Sequence, residues 1–256
     1  MYVIWKSMIA VVTMALVGLI TGIAHGSTYC AGAVGPDTVL CEGFSDVNPL
    51  GGFNVFNPPG GSGSGQTAMG VAINSEELRF EHLGGFGVAH TVTATSLVVK
   101  DRLLEGDVKF DSPTERRANA SILWRDATQQ NQITLGLQLD ENRVILDTIV
   151  GGAFTRYDAP LVVGVEQFYH LSLLISVVGG LSGYVDGVLA ISVPLFDAMS
   201  LPISMNAGFG GNSRDGLDLR FDNLIITAIP LPPALLLFGS ALALIGFAGR
   251  RRLNIK

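Results

Sequence analysis

Helix signals, cysteines and basic residues are all scarce in this chain, and each scarcity removes a class of protein. The 256 residues include two cysteines, two tryptophans, and 16 Lys plus Arg against 22 Asp plus Glu. Two cysteines with no histidine beside them cannot build a zinc site of the usual four-ligand kind. The acidic balance excludes the basic patch that nucleic acid requires, so no nucleic-acid partner is expected. Neither G-x-G-x-x-G nor G-x-x-x-x-G-K-[ST] is present, which removes the common nucleotide-binding loops. The glycines of Gly60 to Gly65, after Asn57-Pro58-Pro59, read instead as a surface loop. His82, His90 and His170 follow no H-E-x-x-H spacing, and no G-x-S-x-G elbow accompanies them. They read as surface or strand-edge histidines.

What is present begins at the two ends. Lys6, the apolar stretch Met8 to Ile23 and the small residues Ala24 and Gly26 have the three-part order of a secretory signal peptide over 1–26, cut before Ser27. At the other end, Ile229-Pro230-Leu231-Pro232-Pro233 breaks the chain, because proline cannot extend a helix backwards. An uncharged run from Ala234 to Ala248 follows, stopped by Arg250, Arg251 and Arg252. At 1.5 Å per residue, that run reaches roughly 22 Å as a helix, short of a ~30 Å hydrocarbon core. It is expected to be a short transmembrane sorting segment within a tail spanning 229–256. Five of the basic residues lie in these ends, leaving 11 against all 22 acids for the stretch 27–228. That stretch is long enough for one sizeable domain. Cys30 and Cys41, both exported on this reading, are expected to form a disulfide worth roughly 3 kcal/mol.

The middle alternates with period two and is punctuated by Gly, Asn, Asp and Pro. Ile133, Leu135, Leu137 and Leu139 share one face of a strand, and Leu171, Leu173, Ile175 and Val177 share one face of another. Leu104, Val108 and Phe110 point inward in a third, with Glu105, Asp107 and Lys109 on its polar side. Asp186-Gly187 between GYV and VLA signals a two-residue hairpin, since type I′ turns need positive φ. The change of apolar phase across Asp222-Asn223 predicts a bulge. About eleven strands are expected, arranged as an all-β sandwich.

Two resemblances add to this reading. The tail resembles the PEP-CTERM signal in its V/I-P-L-P variant. This implies recognition by an exosortase, after signal peptidase has acted, and passage through the inner membrane to the cell surface or extracellular matrix of a Gram-negative bacterium. The middle, from LLEGDVKF through ILWRDATQQNQITLGLQLDENRVIL and GYVDGVLA to LRFDNLIIT, resembles the concanavalin A-like lectin/glucanase jelly rolls. The laminin-G-like and keto-disaccharide-hydrolase-like domains are the most similar. These domains bind glycans, cleave them or serve as interaction modules, so the fold does not choose among these roles.

The candidate site residues follow from that resemblance. Its glucanases carry E-x-D-x-x-E, with two carboxyls for retaining hydrolysis. Here Glu105 and Asp107 are present, but Phe110 stands where the second glutamate belongs. The pair is therefore expected to be a solvated polar face, with no catalytic residue. Sugar stacking would draw on Trp124, Tyr157 or Tyr184, although Trp124 shares its face with Ala120 and Ile122, which favours the core. A structural calcium, common in the superfamily, would draw on Asp46 and Asp222; no other cofactor is expected. The expectation is an exported, surface-sorted domain that is not an enzyme and binds glycan or matrix polysaccharide. A glycan-active hydrolase and a structural matrix protein without a specific ligand are the alternatives.

Overall fold

The computed structural model describes residues 37–42, 44, 53–56, 66–68, 70–74, 77–81, 86–111, 118–214 and 218–229. The predicted signal peptide, Cys30, Asp46, His82, the Gly60–Gly65 loop and the tail from Pro230 lie outside them. Cys41 is disulfide-bonded. The strands are β1 (Thr38–Glu42), β2 (Phe53–Phe56), β3 (Gln66–Ala68), β4 (Gly70–Asn74), β5 (Glu77–Glu81), β6 (Phe86–Thr93), β7 (Leu97–Val98), β8 (Arg102–Phe110) and β9 (Ala118–Arg125). They continue with β10 (Gln132–Gln138), β11 (Arg143–Val150), β12 (Ala153–Pro160), β13 (Phe168–Ser176), β14 (Gly180–Val185), β15 (Val188–Val193), β16 (Ser204–Arg214) and β17 (Leu219–Ala228). Among the described residues a single 3-10 turn, Ala198–Ser200, is capped by the Asp197 carboxylate, which accepts from Met199 N.

These strands make two sheets. One runs β15-β14-β13-β8-β17-β5-β4, with β1 also on β17. The other runs β12-β11-β10-β9-β16-β6-β2, with β3 on β6 and β7 on β16. Every pairing is antiparallel except β3 with β6. The chain therefore forms the all-β sandwich expected from the alternation, and it is jelly-roll-like, as the resemblance implied.

The period-two pattern sets which side chains fill the space between the sheets. Leu104, Val108 and Phe110 of β8 and Ile133, Leu135 and Leu137 of β10 are completely buried there. Gly106 leaves room for the other sheet, since a Cβ on it would stand 2.6 Å from Phe209 Cε1. Aromatic rings bind the layers together. Phe80 meets Phe221 at 4.6 Å between centroids, Phe221 meets Phe209 at 5.0 Å, and Phe44 touches both Phe209 and Phe53. Each such contact adds about 0.5–1.5 kcal/mol beyond the area it buries.

The turns behave as their residues require. Asp186 and Gly187 both have positive φ, 49° and 76°, as a type I′ hairpin demands. The register of β17 against β8 shifts between Asp222 and Ile225, with Asn223 at φ 52°, so the predicted bulge is there. The expected strand count was too low. β16, glycine-rich and absent from the predicted strands, runs between β9 and β6. Gly208 is required there because a Cβ would sit 1.9 Å from Thr91 O.

Candidate functional site

The outer side of the eight-stranded sheet is not the solvated face expected from the sequence. Glu105 and Asp107 project from it but are buried, at 9% and 4% exposure. The reason is their cross-strand partners: Ser172 pairs with Glu105 and His170 with Asp107 on β13, while Asp222 pairs with Asp107 on β17. His170 Nδ1 lies 2.7 Å from Asp107 Oδ1 and Nε2 lies 3.2 Å from Glu105 Oε1. Ser172 Oγ donates to the same Glu105 oxygen at 3.3 Å, and Asn223 Nδ2 donates to Asp107 Oδ2 at 2.7 Å. The hairpin holds the histidine's backbone as well, since His170 N donates to Asp186 Oδ1.

Burial by itself lowers the His170 pKa. The hydrogen bonds and charges of Asp107 and Glu105 outweigh it and raise the value to about 10. His170 is therefore an imidazolium at neutral pH, donating from both ring nitrogens to one carboxylate each. It is neither a surface nor a strand-edge histidine. Lys109, on the same polar side of β8, reaches Asp111 rather than these acids and lies over the Phe168 ring. Arg79 and Arg220 complete that rim, pairing with Asp111 and Glu77.

The outer side of the nine-stranded sheet is built differently. Near the start of β9 a groove of about 470 Å³ is lined by Asn119, Gln138, Glu141, Arg143, Arg156 and Asn212, with Ala118 at its floor. Arg143 donates from Nε and Nη2 to Gln138 Oε1 and pairs with Glu141 and Asp158. Arg156 forms a two-pronged bridge to Asp147, 2.7 Å on each arm, and lies over the exposed Phe154 ring. The guanidinium charges are thus matched before any ligand arrives. At the end of β9 a second groove, about 650 Å³, is bounded by Asn54, Ser96, Arg125, Asp126 and Asn206. His90, half-buried rather than a surface residue, sits beside it. Burial and then the Arg125 charge lower its pKa to about 3, so its neutral ring accepts from Arg125 at 2.9 Å. Between the grooves, Gly136 and Gly210 let neighbouring side chains lie flat, because a Cβ on either would overlap Ser121 or Leu123.

The predicted site residues scatter over this frame. Trp124 is fully buried among core residues and presents no platform for a sugar. Its alternation with Ala120 and Ile122 places it inward. Tyr157 is half-buried and packs against the core from β12, so it too faces away from the grooves. Tyr184 pairs with Leu189 and lies opposite Ser172, beside the acid–histidine cluster. Asp222 is buried and its Oδ1 accepts from Asn223 N. Among the described residues no group of His, Cys, Asp and Glu is arranged to hold a metal ion.

No family model matches the chain, and no curated protein matches it. Solved structures do. The carbohydrate recognition domain of Emp47p is similar with a TM-score of 0.57 at 5% identity, over 73% of this chain and 93% of that one. A prokaryotic β-1,3-1,4-glucanase (lichenase) derived from a mouse hindgut metagenome scores 0.56 at 13% identity, over 74% of this chain and 99% of that one. A pseudo β-1,3-glucanase of Mycobacterium tuberculosis scores 0.56 at 12%, over 75% and 99%. At these identities the likeness is one of fold, a β-sandwich that these proteins share with the chain. The expectation that the domain is not an enzyme is corrected by this comparison. Glycoside hydrolases and a transglycosylase share the architecture, and an enzymatic role is open to it.

Proposed function

We propose that the chain is an exported protein that engages glycan through the outer face of its nine-stranded sheet. One observation carries this reading. Two grooves lie in line at the ends of β9, about 20 Å apart at ~3.3 Å per residue; amides and ion-paired guanidiniums line the first, and Asn54, Asn206, Ser96 and Arg125 together with the apolar Val92, Ala94 and Ala127 line the second. Such groups donate to and accept from hydroxyls without demanding a charged ligand, which suits a neutral oligosaccharide. Phe154 at the edge of the first groove supplies an exposed apolar ring, the role first sought in Trp124. The N-terminal signal and the tail with Pro230, Pro232, Pro233 and Arg250–Arg252 support delivery by signal peptidase and an exosortase to the cell surface or its polysaccharide matrix.

A hydrolytic reading is favoured by a separate observation, the Glu105–His170–Asp107 cluster. A histidine with a strongly raised pKa, buried between two carboxylates on one sheet face, is of the kind that recurs at catalytic sites. A single assay tests both readings: the purified protein is incubated with immobilised and soluble β-glucans, and retention and reducing-end release are measured together. Asn119→Ala with Gln138→Ala should weaken retention about tenfold, the effect of losing roughly 1.4 kcal/mol of hydrogen bonding. Unchanged retention would remove the groove from the binding site. Release lost on Glu105→Gln, in a variant that remains folded, would establish hydrolysis at the cluster.

A further inference from the structure

One end of the sandwich exposes apolar side chains that neither sheet uses. Leu195 is 95% exposed, Val178 85%, Ile203 75% and Met199 62%, with Val177 beside them at 39%. Contacts through Val99, Lys100 and Asp101 draw most of them together. Asp101 Oδ1 accepts from Val177 N, Lys100 Nζ donates to Met199 O, and Val99 N donates to Ile203 O. Leu195 follows Pro194, whose backbone lies against Gly180 at the base of the Val177–Val178 turn.

The chain enters and leaves at this same end. Ala228 N donates to Asp37 O and Ile229 N to Asp101 O, so the first and last described residues are neighbours there. The sequence beyond them carries the chain's two long apolar runs, Met8 to Ile23 and Ala234 to Ala248. From Ile229 to Ala234 the chain spans at most about 17 Å, and three of the four intervening residues are proline. The opposite end also exposes apolar side chains, Val162 and Val188, but no chain outlet lies beside them.

We propose that this end is a lipid-facing surface: with Ala234 to Ala248 in a bilayer, Val178, Leu195, Met199 and Ile203 enter its interfacial zone and hold the sandwich upright on the membrane. The proposal rests on reading the tail as a membrane segment. Apolar loop tips partition to the interface by the area they bury, and so short a tether keeps them within reach of it.

The test uses the full chain in dioleoylphosphatidylcholine vesicles, with and without lipid brominated on the acyl chains. Leu195→Trp is compared with Val162→Trp, each corrected for the wild-type signal of Trp5 and Trp124, and vesicle association is followed by flotation. Tryptophan at 195 should be quenched at least twofold by brominated lipid, and tryptophan at 162 should not be. With Val178→Trp as the reporter, adding Leu195→Ser, Met199→Ser and Ile203→Ser should abolish its quenching while the chain still floats. A chain that floats without quenching at 195 overturns the proposal and leaves the tail reading intact. A chain that does not float overturns both. A blue shift at 195 without bromine quenching assigns the patch to a second copy or to the chain's own tail, and the lipid assignment fails.

Discussion

His170 is a cation held between two acids, and the consequences of that arrangement can be measured. Replacing Asp107 with Asn leaves the imidazolium with one carboxylate in a buried setting, which costs about 3–5 kcal/mol. A thermal or urea unfolding experiment should show that loss, whereas Asp158→Asn, at the exposed rim of the Arg143 network, should cost less than about 1 kcal/mol. The pH dependence follows from the direction of the shift. His170 titrates at about 10 in the folded chain and near 6.5 unfolded, so the folded state binds its proton more tightly. Its contribution is complete below about pH 6.5 and declines as pH rises toward 10. The difference in Tm between wild type and His170→Gln should therefore be largest at pH 6 and shrink steadily to pH 10; a constant gap would contradict the assignment. None of this was legible in the sequence. Period two correctly put Glu105 and Asp107 on one side of β8, but partner strands are invisible to a local pattern. His170 comes from 63 residues further along.

Elements were legible where alternation was strict and obscure where another constraint set the residue type. β10, β13 and β8 followed their apolar spacing, and the Asp186-Gly187 turn followed its need for positive φ. β16 looks like a loop because the backbone of β6 crowds Gly208 and the side chain of Leu123 crowds Gly210. β12 lacks an alternating signal because, as an edge strand, it is largely exposed. Gly208→Ala should consequently damage the fold more than any turn substitution. With its Cβ driven into Thr91 O, it should cost several kcal/mol or abolish soluble expression. Asp186→Ala is the milder contrast, with loss of a preferred αL residue and of the bond to His170 N. A drop of about 1–2 kcal/mol in urea unfolding would match that account.

At the scale of the molecule, the two ends are read as export and sorting signals. The two terminal signals predict that protein extracted from the surface of its native host lacks residues 1–26 and the segment after the Pro230 break. Intact-mass measurement of that protein checks this, and a full-length mass would remove the sorting reading. The β-sandwich was readable from turn and strand order. The proposed binding face was not, because the aromatic residues that suggested one are drawn into the core or to the other sheet. One feature of the topology also bears on how the chain is made. β17, the last of the described strands, lies within the eight-stranded sheet, with β8 on one side and β5 and β1 on the other. It joins Thr38 to Thr227 across nearly the whole domain. Until β17 is in place that sheet is three unjoined pieces, β15-β14-β13-β8, β5-β4 and β1, and the aromatic chain through Phe221 is open. The long-range pairing that closes this sheet therefore has to wait for β17, and pairing of this kind is intrinsically slow. A chain stalled or truncated anywhere before residue 219 exposes the edges of β8 and β5 to whatever else is nearby.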